Sequence, residues 1–435
     1  MNKKVVTRIP PSPTGNLHLG TARTALFNYL YAKQNNGKVI LRLEDTDKER
    51  SKDEFTENIK QGLAWLGITY DEKFKQSERA DVYKKYIEKL IQEDKAYISK
   101  EEEGERSEVI RFRNPNKVVK FSDEIRGDIE FNTTELGDFV IAKSLDEPLY
   151  HLAVVIDDHE MEITHILRGE DLISSTPRQI LLQEAIGAKR PIYAHLPLLL
   201  GKDKSKLSKR HGAKSISEFK NEGFLPESLI NYLAFLGWNP GTEQEFFTFD
   251  ELVEAFSLKQ IQKGGAVFAP EKLEWYNKHY LNKLTDDEAC IILKEKLPGF
   301  GECLDLLKLK PVVFERITKL SDIDKMVEDK ELDFFIKEPE YDLEKVVWKD
   351  SDKAETIEHL NHIVNELKSN NFDSPESVKN IIWPYADEKG RGNVLWPLRY
   401  LLSGKEKSPD PFTIVSILGK EESINRIENA IKKLS

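Results

Sequence analysis

The sequence predicts a multidomain α/β protein: a doubly wound parallel sheet with an α+β insert, followed by an all-α C-terminal region. Three observations lead there. The β-branched run Val5-Val6-Thr7-Arg8-Ile9 is followed by a Pro/Gly loop and then a helix start. A second apolar strand, Ile192 to Leu200, delivers a compact cationic loop, Lys202-Asp203-Lys204-Ser205-Lys206-Leu207-Ser208-Lys209-Arg210-His211-Gly212. From about Leu281 onward the chain is charged, amphipathic and without strand texture.

The first loop, Pro10-Pro11-Ser12-Pro13-Thr14-Gly15-Asn16-Leu17-His18-Leu19-Gly20-Thr21, is the stretch around which the rest is organised. The helix after it is predicted over Thr21 to Gln34, with Leu26, Tyr29, Leu30 and Lys33 near one face and Gly37 as a stop. A helix N-terminus behind a strand offers unpaired N–H groups and partial positive charge to phosphate. Glycine lets backbone approach a ligand, and proline stiffens the loop. His18 adds a donor for a phosphate or ribose oxygen. The alternatives are a rigid turn without a ligand and a capping histidine. The cationic loop suits a polyphosphate clamp; alone, it also reads as a solvated basic loop. Two phosphate-suited loops with a long insert between them favour the joint reading.

The intervening elements follow in order. Val39 to Leu43 is a second strand, ending in Glu44-Asp45-Thr46-Asp47, where doubly wound sheets bind ligands. The alternative for the acids is a solvated helix start. Phe55, Ile59, Leu63 and Leu66, then Val82, Tyr86 and Leu90, read as core stripes of two helices. From Ala96 to about Val155, the runs Val109–Phe112, Val118–Phe121, Asp128–Phe131 and Phe139–Lys143 read as short strands of an insert. Ile163 to Asp171 returns as a strand ending in charge. Ser174, Ser175, Thr176 and Pro177 then announce a helix with hydroxyl caps. Leu229, Ile230, Leu233 and Ala234 mark a helix over Pro226 to Phe235, and Phe268-Ala269-Pro270 with Leu273, Trp275 and Tyr276 a junction between domains. The expected boundaries are 1–95, 96–155, 156–280 and 281–435.

Composition narrows the class. The 435 residues suffice for two or three cores, and 32% charged with 39% apolar residues is ordinary for a soluble protein. A net charge of −11 argues against nucleic-acid binding by bulk charge, though not against a local basic surface. Two cysteines, Cys290 and Cys303, fit a reducing cytosol. No apolar signal region and no run approaching a membrane span is present, so a cytoplasmic protein is expected.

His18-Leu19-Gly20-Thr21 resembles the "HIGH" signature of class I aminoacyl-tRNA synthetases, and Lys206-Leu207-Ser208-Lys209-Arg210 resembles their "KMSKS" loop. Thr7-Arg8-Ile9, Pro11-Ser12-Pro13-Thr14-Gly15 and Arg42-Leu43-Glu44-Asp45-Thr46-Asp47 narrow the resemblance to the bacterial glutamyl type. It is dense from Val5 to Tyr280 and thinner beyond. It implies a Rossmann-like catalytic domain, an insert gripping the tRNA acceptor end, and a helical anticodon-binding part that includes Gly390–Arg399 and Leu418–Glu421. It implies ATP with Mg²⁺, L-glutamate, and the tRNA for glutamate. Whether the tRNA for glutamine is also charged stays open, and a monomer is the default. Where many members carry zinc ligands after the position of Ala96-Tyr97, this sequence has none, so no zinc and a shortened insert are expected.

The chemistry the resemblance implies has two steps: attack of the glutamate α-carboxylate on the ATP α-phosphorus, then transfer to the terminal adenosine hydroxyl of tRNA. Neither requires a protein nucleophile; positioning and charge stabilisation suffice. His18, Gly20 and Thr21 would meet ATP from one side, and Lys206, Leu207, Ser208, Lys209 and Arg210 would close from the other. His18, Lys206 and Lys209 are the catalytic candidates, Lys209 foremost. Arg8 would take the glutamate side-chain carboxylate, because a planar bidentate donor suits it. Glu44 would hold the ammonium. Ser12, Tyr150 and Arg168 match other substrate-contacting positions. A surface ion pair for Arg8 and a core role for Tyr150 are the alternatives. Pro10, where many relatives have Ala, departs from the pattern. Rival functions are a small-molecule nucleotidyltransferase, a paralogue that glutamylates a modified base, and a non-catalytic RNA-binding relative. The helical C-terminal third disfavours the first two, and the paired phosphate loops the third.

Overall fold

In the computed structural model the residues described are 4–101, 108–207, 214–302, 304–349 and 351–435. They divide into two compact units, Met1–Asn277 and Lys278–Ser435.

The first unit opens with β1 (Val6–Ile9), α1 (Leu19–Gln34), β2 (Lys38–Leu43), α2 (Asp53–Trp65), β3 (Glu72–Lys75) and α3 (Ala80–Gln92). The three strands form a parallel sheet, with Arg8 opposite Ile40 and Arg42 opposite Phe74. Next come β4 (Ala96–Lys100), β5 (Glu108–Phe112), β6 (Val118–Asp123), β7 (Gly127–Asn132), β8 (Phe139–Ser144), β9 (Glu147–Pro148), α4 (Tyr150–Glu160), β10 (His165–Gly169), α5 (Thr176–Ile186), β11 (Ile192–Leu196) and β12 (Leu199–Leu200). β4, β5, β8 and β9 make an antiparallel sheet. The β6–β7 hairpin instead continues a parallel pair, in the order β10-β11-β6-β7. Thr164 joins the two parallel sheets: its N–H donates to Val6 O at 3.0 Å, and Val6 N–H donates to Thr164 Oγ1 at 2.8 Å. The unit closes with α6 (Ile216–Asn221), α7 (Pro226–Phe235), α8 (Phe249–Ala255), β13 (Ala266–Val267) and α9 (Pro270–Asn282), the last reaching past the boundary.

α1 is the centre of the larger core. Leu19, Ala22, Ala25, Leu26, Phe27, Leu30 and Ala32 are all buried, so the helix is apolar on most of its circumference. Of the expected face, Leu26 and Leu30 are buried while Tyr29 and Lys33 are half-buried, and the helix begins two residues earlier than expected, at Leu19. Three more expectations need correction. The buried stripe of α3 is Tyr83, Ile87 and Leu90, one residue out of phase with Val82 and Tyr86. Ile192 to Leu200 is two strands, because Pro197 lacks a ladder donor. α5 has Pro in its first turn but no hydroxyl cap: its N-cap Ser175 already has helical dihedrals, continuing a 3₁₀ turn over Glu170–Ser175, and the Thr176 hydroxyl meets Arg168. β3 was not foreseen: three of its four residues are charged, and it reads as solvated chain.

The second unit is helical among its described residues: α10 (Asp286–Lys296), α11 (Leu306–Phe314), α12 (Ser321–Glu328), α13 (Leu343–Val346), α14 (Lys353–Ser369), α15 (Pro375–Lys389), α16 (Arg391–Ser403), α17 (Pro411–Leu418) and α18 (Lys420–Leu434). α14 packs on α16 and α18. Within the Gly390–Arg399 stretch, Gly390 turns the chain between α15 and α16, and the rest forms the first turns of α16. Gly390 takes φ +98°, and a Cβ at Gly392 would lie 2.4 Å from Trp348 Nε1. Trp396 donates to Lys345 O at 2.8 Å and Arg399 to Glu406 O at 3.0 Å, so both side chains are engaged within the unit.

Candidate active site

The organising loop is pinned at its backbone. Glu44 N–H donates to Pro11 O at 3.0 Å and Lys52 N–H to Pro13 O at 3.0 Å. Leu17 O accepts from Ile216 N–H at 2.8 Å, and His18 forms an isolated β-bridge with Ser215. His18 caps α1: its Nδ1 accepts from Thr21 N–H at 3.3 Å, and its Nε2 lies 3.0 Å from Thr21 Oγ1. Gly20 sits against this ring, where a Cβ would lie 3.3 Å from both Nδ1 and Cε1. His18 and Ser12 remain exposed. Enclosure by protein atoms, and then the Lys206 ammonium, hold the His18 pKa below its ordinary value, which keeps the imidazole neutral at pH 7.

The same bridge brings the cationic loop alongside. Leu207 N–H donates to Leu199 O at 2.8 Å, and the exposed Lys206 pairs with Asp171 at 2.9 Å. Ser208, Lys209 and Arg210 lie outside the described residues. His18, Gly20, Thr21, Lys206 and Leu207 are thus assembled at one end of α1, from segments nearly two hundred residues apart.

Beside them lies a buried ionic cluster. Alternation along β1 turns Thr7 toward α1, where its hydroxyl donates to Asn28 O at 3.0 Å, and turns Arg8 to the other face. Arg8 is 2% exposed, which excludes the surface-pair alternative. Its Nε donates to Asp158 Oδ1 at 3.3 Å and its Nη1 to Leu167 O at 3.3 Å. Arg42 donates to the same Asp158 oxygen at 2.6 Å and to Glu44 Oε1 at 2.9 Å. Asp157 accepts from Gln76 and Arg79 at 2.8 Å each and from Tyr83 at 2.9 Å. Burial alone would raise the Asp158 pKa, but two guanidiniums outweigh it and hold the carboxylate below its ordinary range. Glu44 has one close guanidinium, and for it burial prevails, raising its pKa. Burial and then Glu44 push the Tyr150 phenol up to about 12, so it is a donor at neutral pH.

Arg168, on β10, is 3% exposed. Its Nε meets His195 Nε2 at 3.1 Å, its Nη1 Gln179 Oε1 at 2.6 Å and its Nη2 Thr176 Oγ1 at 2.7 Å. Of these buried groups, Asp157, Asp158 and His195 escaped the sequence reading. The pair Asp157-Asp158 did carry a signal, being two acids closing the apolar run Leu152–Ile156. Among the described residues no group of three or more His, Cys, Asp or Glu is placed to hold a metal.

Three comparisons bear on the site. Residues 4–106 and 98–275 match the family model for class I tRNA synthetases (E and Q), catalytic domain. Residues 270–431 match an anticodon binding domain model. A glutamate–tRNA ligase of Carboxydothermus hydrogenoformans is 39% identical, covering 98% of this chain and 99% of its own. One of Aquifex aeolicus is 38% identical over 99% and 100%. A crystal structure of a glutamate tRNA ligase from Elizabethkingia meningosepticum, in complex with its amino acid, superposes with TM-score 0.86 at 33% identity and full coverage of both chains.

Proposed function

The chain belongs to the class I tRNA synthetases of the glutamate and glutamine type and acts as a glutamate–tRNA ligase, and from that premise we propose how its own residues divide the work. The enzyme joins L-glutamate to AMP at the expense of ATP, releasing diphosphate, and then transfers the glutamyl group to the 3′-terminal adenosine of tRNA.

The observation that carries the assignment of parts is the convergence of three buried arginines, Arg8, Arg42 and Arg168, around Asp158. Buried guanidiniums hold planar bidentate geometry and recognise carboxylates. Arg8 and Arg168 receive glutamate carboxylate charge. Glu44 and Tyr150 receive the ammonium side, with Ser12 at the rim. Glutamine would leave a guanidinium without its anion in a dry site, so glutamate is preferred.

His18, Gly20 and Thr21 take ATP at the N-terminus of α1, where amides and dipole favour phosphate. Lys206, Leu207, Ser208, Lys209 and Arg210 close over the diphosphate side. Attack by the substrate carboxylate needs no proton removed by the protein, which fits a neutral His18 acting as a hydrogen-bond donor. Mg²⁺ bound to ATP would neutralise phosphate charge, and no protein ligand is assigned to it. Residues 96–155 grip the acceptor end, and 281–435 read the anticodon by stacking and edge contacts. The enzyme works as a monomer in the cytoplasm, where its substrates are made; sedimentation velocity checks the first point.

The test is aminoacylation with radiolabelled glutamate, using purified tRNAs for glutamate and for glutamine separately. Charging of the first is expected. Charging of both would define a relaxed anticodon reader that requires a downstream amidation. ATP consumption without charging of either tRNA would instead favour a small-molecule nucleotidyltransferase.

A further inference from the structure

We infer that His195 and Asp123 are positioning residues for Arg168, aiming its guanidinium while leaving its positive charge for the glutamate carboxylate. The inference rests on the assignment of Arg168 to the glutamate site made above.

Strand register sets the contact. β10 and β11 are parallel neighbours with Arg168 opposite His195, so the two side chains stand on one face of the sheet. Arg168 Nε–H needs an acceptor, and His195 Nε2 lies 3.1 Å away. That nitrogen must then carry the lone pair, so Nδ1 carries the proton. Nδ1 lies 2.6 Å from Asp123 Oδ2, which accepts it. Only one neutral tautomer satisfies both contacts. Burial lowers the His195 pKa, outweighing Asp123, and so keeps the imidazole neutral. Asp123 is itself fixed by the backbone N–H groups of Ile125 at 3.0 Å, Arg126 at 2.8 Å and His195 at 3.1 Å. The anchor therefore lies at the tip of the β6–β7 hairpin, seventy-two residues from the histidine.

The partners of Arg168 differ in kind from those of the other two arginines. Arg8 and Arg42 share Asp158, and Arg42 also meets Glu44. All three nitrogens of Arg168 face neutral acceptors: an imidazole, an amide oxygen and a hydroxyl. Among the described residues no carboxylate forms an ion pair with it. A carboxylate in the place of His195 would hold the guanidinium as well but cancel its charge. A neutral imidazole with its proton turned toward Asp123 does the first without the second. The second nitrogen of the ring thereby moves the compensating acid one residue further from the substrate.

Steady-state aminoacylation by the full-length chain, with the tRNA for glutamate, tests this. H195N keeps an N–H for Asp123 and loses the acceptor for Arg168. It is expected to raise KM for glutamate about tenfold or more while KM for ATP stays within about twofold. H195Q, which returns an amide oxygen to the Nε2 position, is expected to recover most of the loss. R168Q serves as the parent control. If R168Q raises KM for glutamate and H195N does not, the inference is overturned and the site assignment stands. If R168Q has no effect, the site assignment falls and takes the inference with it. KM for glutamate and ATP rising together in H195N would also overturn it, since that is the mark of a general structural fault. Should H195N not fold, D123N carries the test: releasing the tautomer is expected to raise KM for glutamate, and an unchanged value overturns the inference.

Discussion

Asp158 accepts two guanidiniums on a single oxygen, Arg8 at 3.3 Å and Arg42 at 2.6 Å, with all three side chains buried. Asp158→Asn would leave both cations short of charge compensation. Breaking a buried pair from one side costs about 3 kcal/mol or more, so a fall of that order is expected in urea-unfolding stability. The pH dependence follows from the sign of the shift. Asp158 and Asp123 are both held below the ordinary carboxylate range despite burial, Asp158 by guanidiniums and Asp123 by His195 and backbone amides. The unfolded chain therefore takes up these protons first as pH falls. Their contribution is complete above the unfolded value of about 4 and is lost below it. Unfolding midpoints measured from pH 5 to pH 3 should drop more steeply for the native chain than for D158N; parallel curves would remove Asp158 from this role. Lys209 makes a separate prediction from sequence. If its ammonium follows the leaving diphosphate, Lys209→Ala lowers kcat more than it raises KM, by about 3 kcal/mol in the transition state. An unchanged kcat would sink that role.

Between α1 and β2 the chain has no room for a side chain. A Cβ at Gly37 would stand 2.4 Å from Val5 O and 2.9 Å from Ala32 O, both backbone atoms that hold hydrogen bonds. Gly37→Ala must therefore separate β1 from β2, and overpacking of this kind costs about 2 kcal/mol. Calorimetry should register a fall of several degrees; an unchanged Tm would mean the turn relaxes freely. Legibility in the sequence tracked how local each element's determinants are. The strands at 109–112, 118–121, 128–131 and 139–143 and the helix at Pro226–Phe235 stand within a residue or two of where alternation and periodicity put them. β3 was invisible because Glu72, Lys73 and Lys75 carry charge, and only its place beside β2 makes it a strand. Gly37 was legible as a stop, but its reason is a close approach to Val5, thirty-two residues back. The site divides the same way. Arg8, Glu44 and Arg168 are singled out through the family resemblance, whereas Asp158, 116 residues from Arg42, and Asp123, seventy-two from His195, are joined to them only by folding.

The whole chain is acidic, with 76 Asp and Glu against 65 Lys and Arg and a net charge of −11, yet its substrate is a polyanion. At long range the protein repels tRNA, so binding must come from local cationic surface at short range. We propose that the exposed Lys202, Lys204 and Lys206 contribute such a surface, Lys202 and Lys206 exchanging their ion pairs with Glu271 and Asp171 for phosphate. Phosphate contacts release counterions from the nucleic acid, and each gives a slope of about 0.7 to 0.9 in log KM against log salt. On the assignment proposed above, glutamate binding has no such term, because Arg8 and Arg168 are buried where mobile ions are largely excluded. Raising KCl at fixed pH should therefore increase KM for tRNA steeply, with a slope of at least about 2, while KM for glutamate moves little. The two responses separate surface from interior. Lys202→Gln with Lys204→Gln should reduce the tRNA slope by about one to two and leave KM for glutamate where it was. A tRNA KM indifferent to salt would mean that recognition runs through base and shape contacts alone, and the cationic loop would then belong to ATP and not to tRNA.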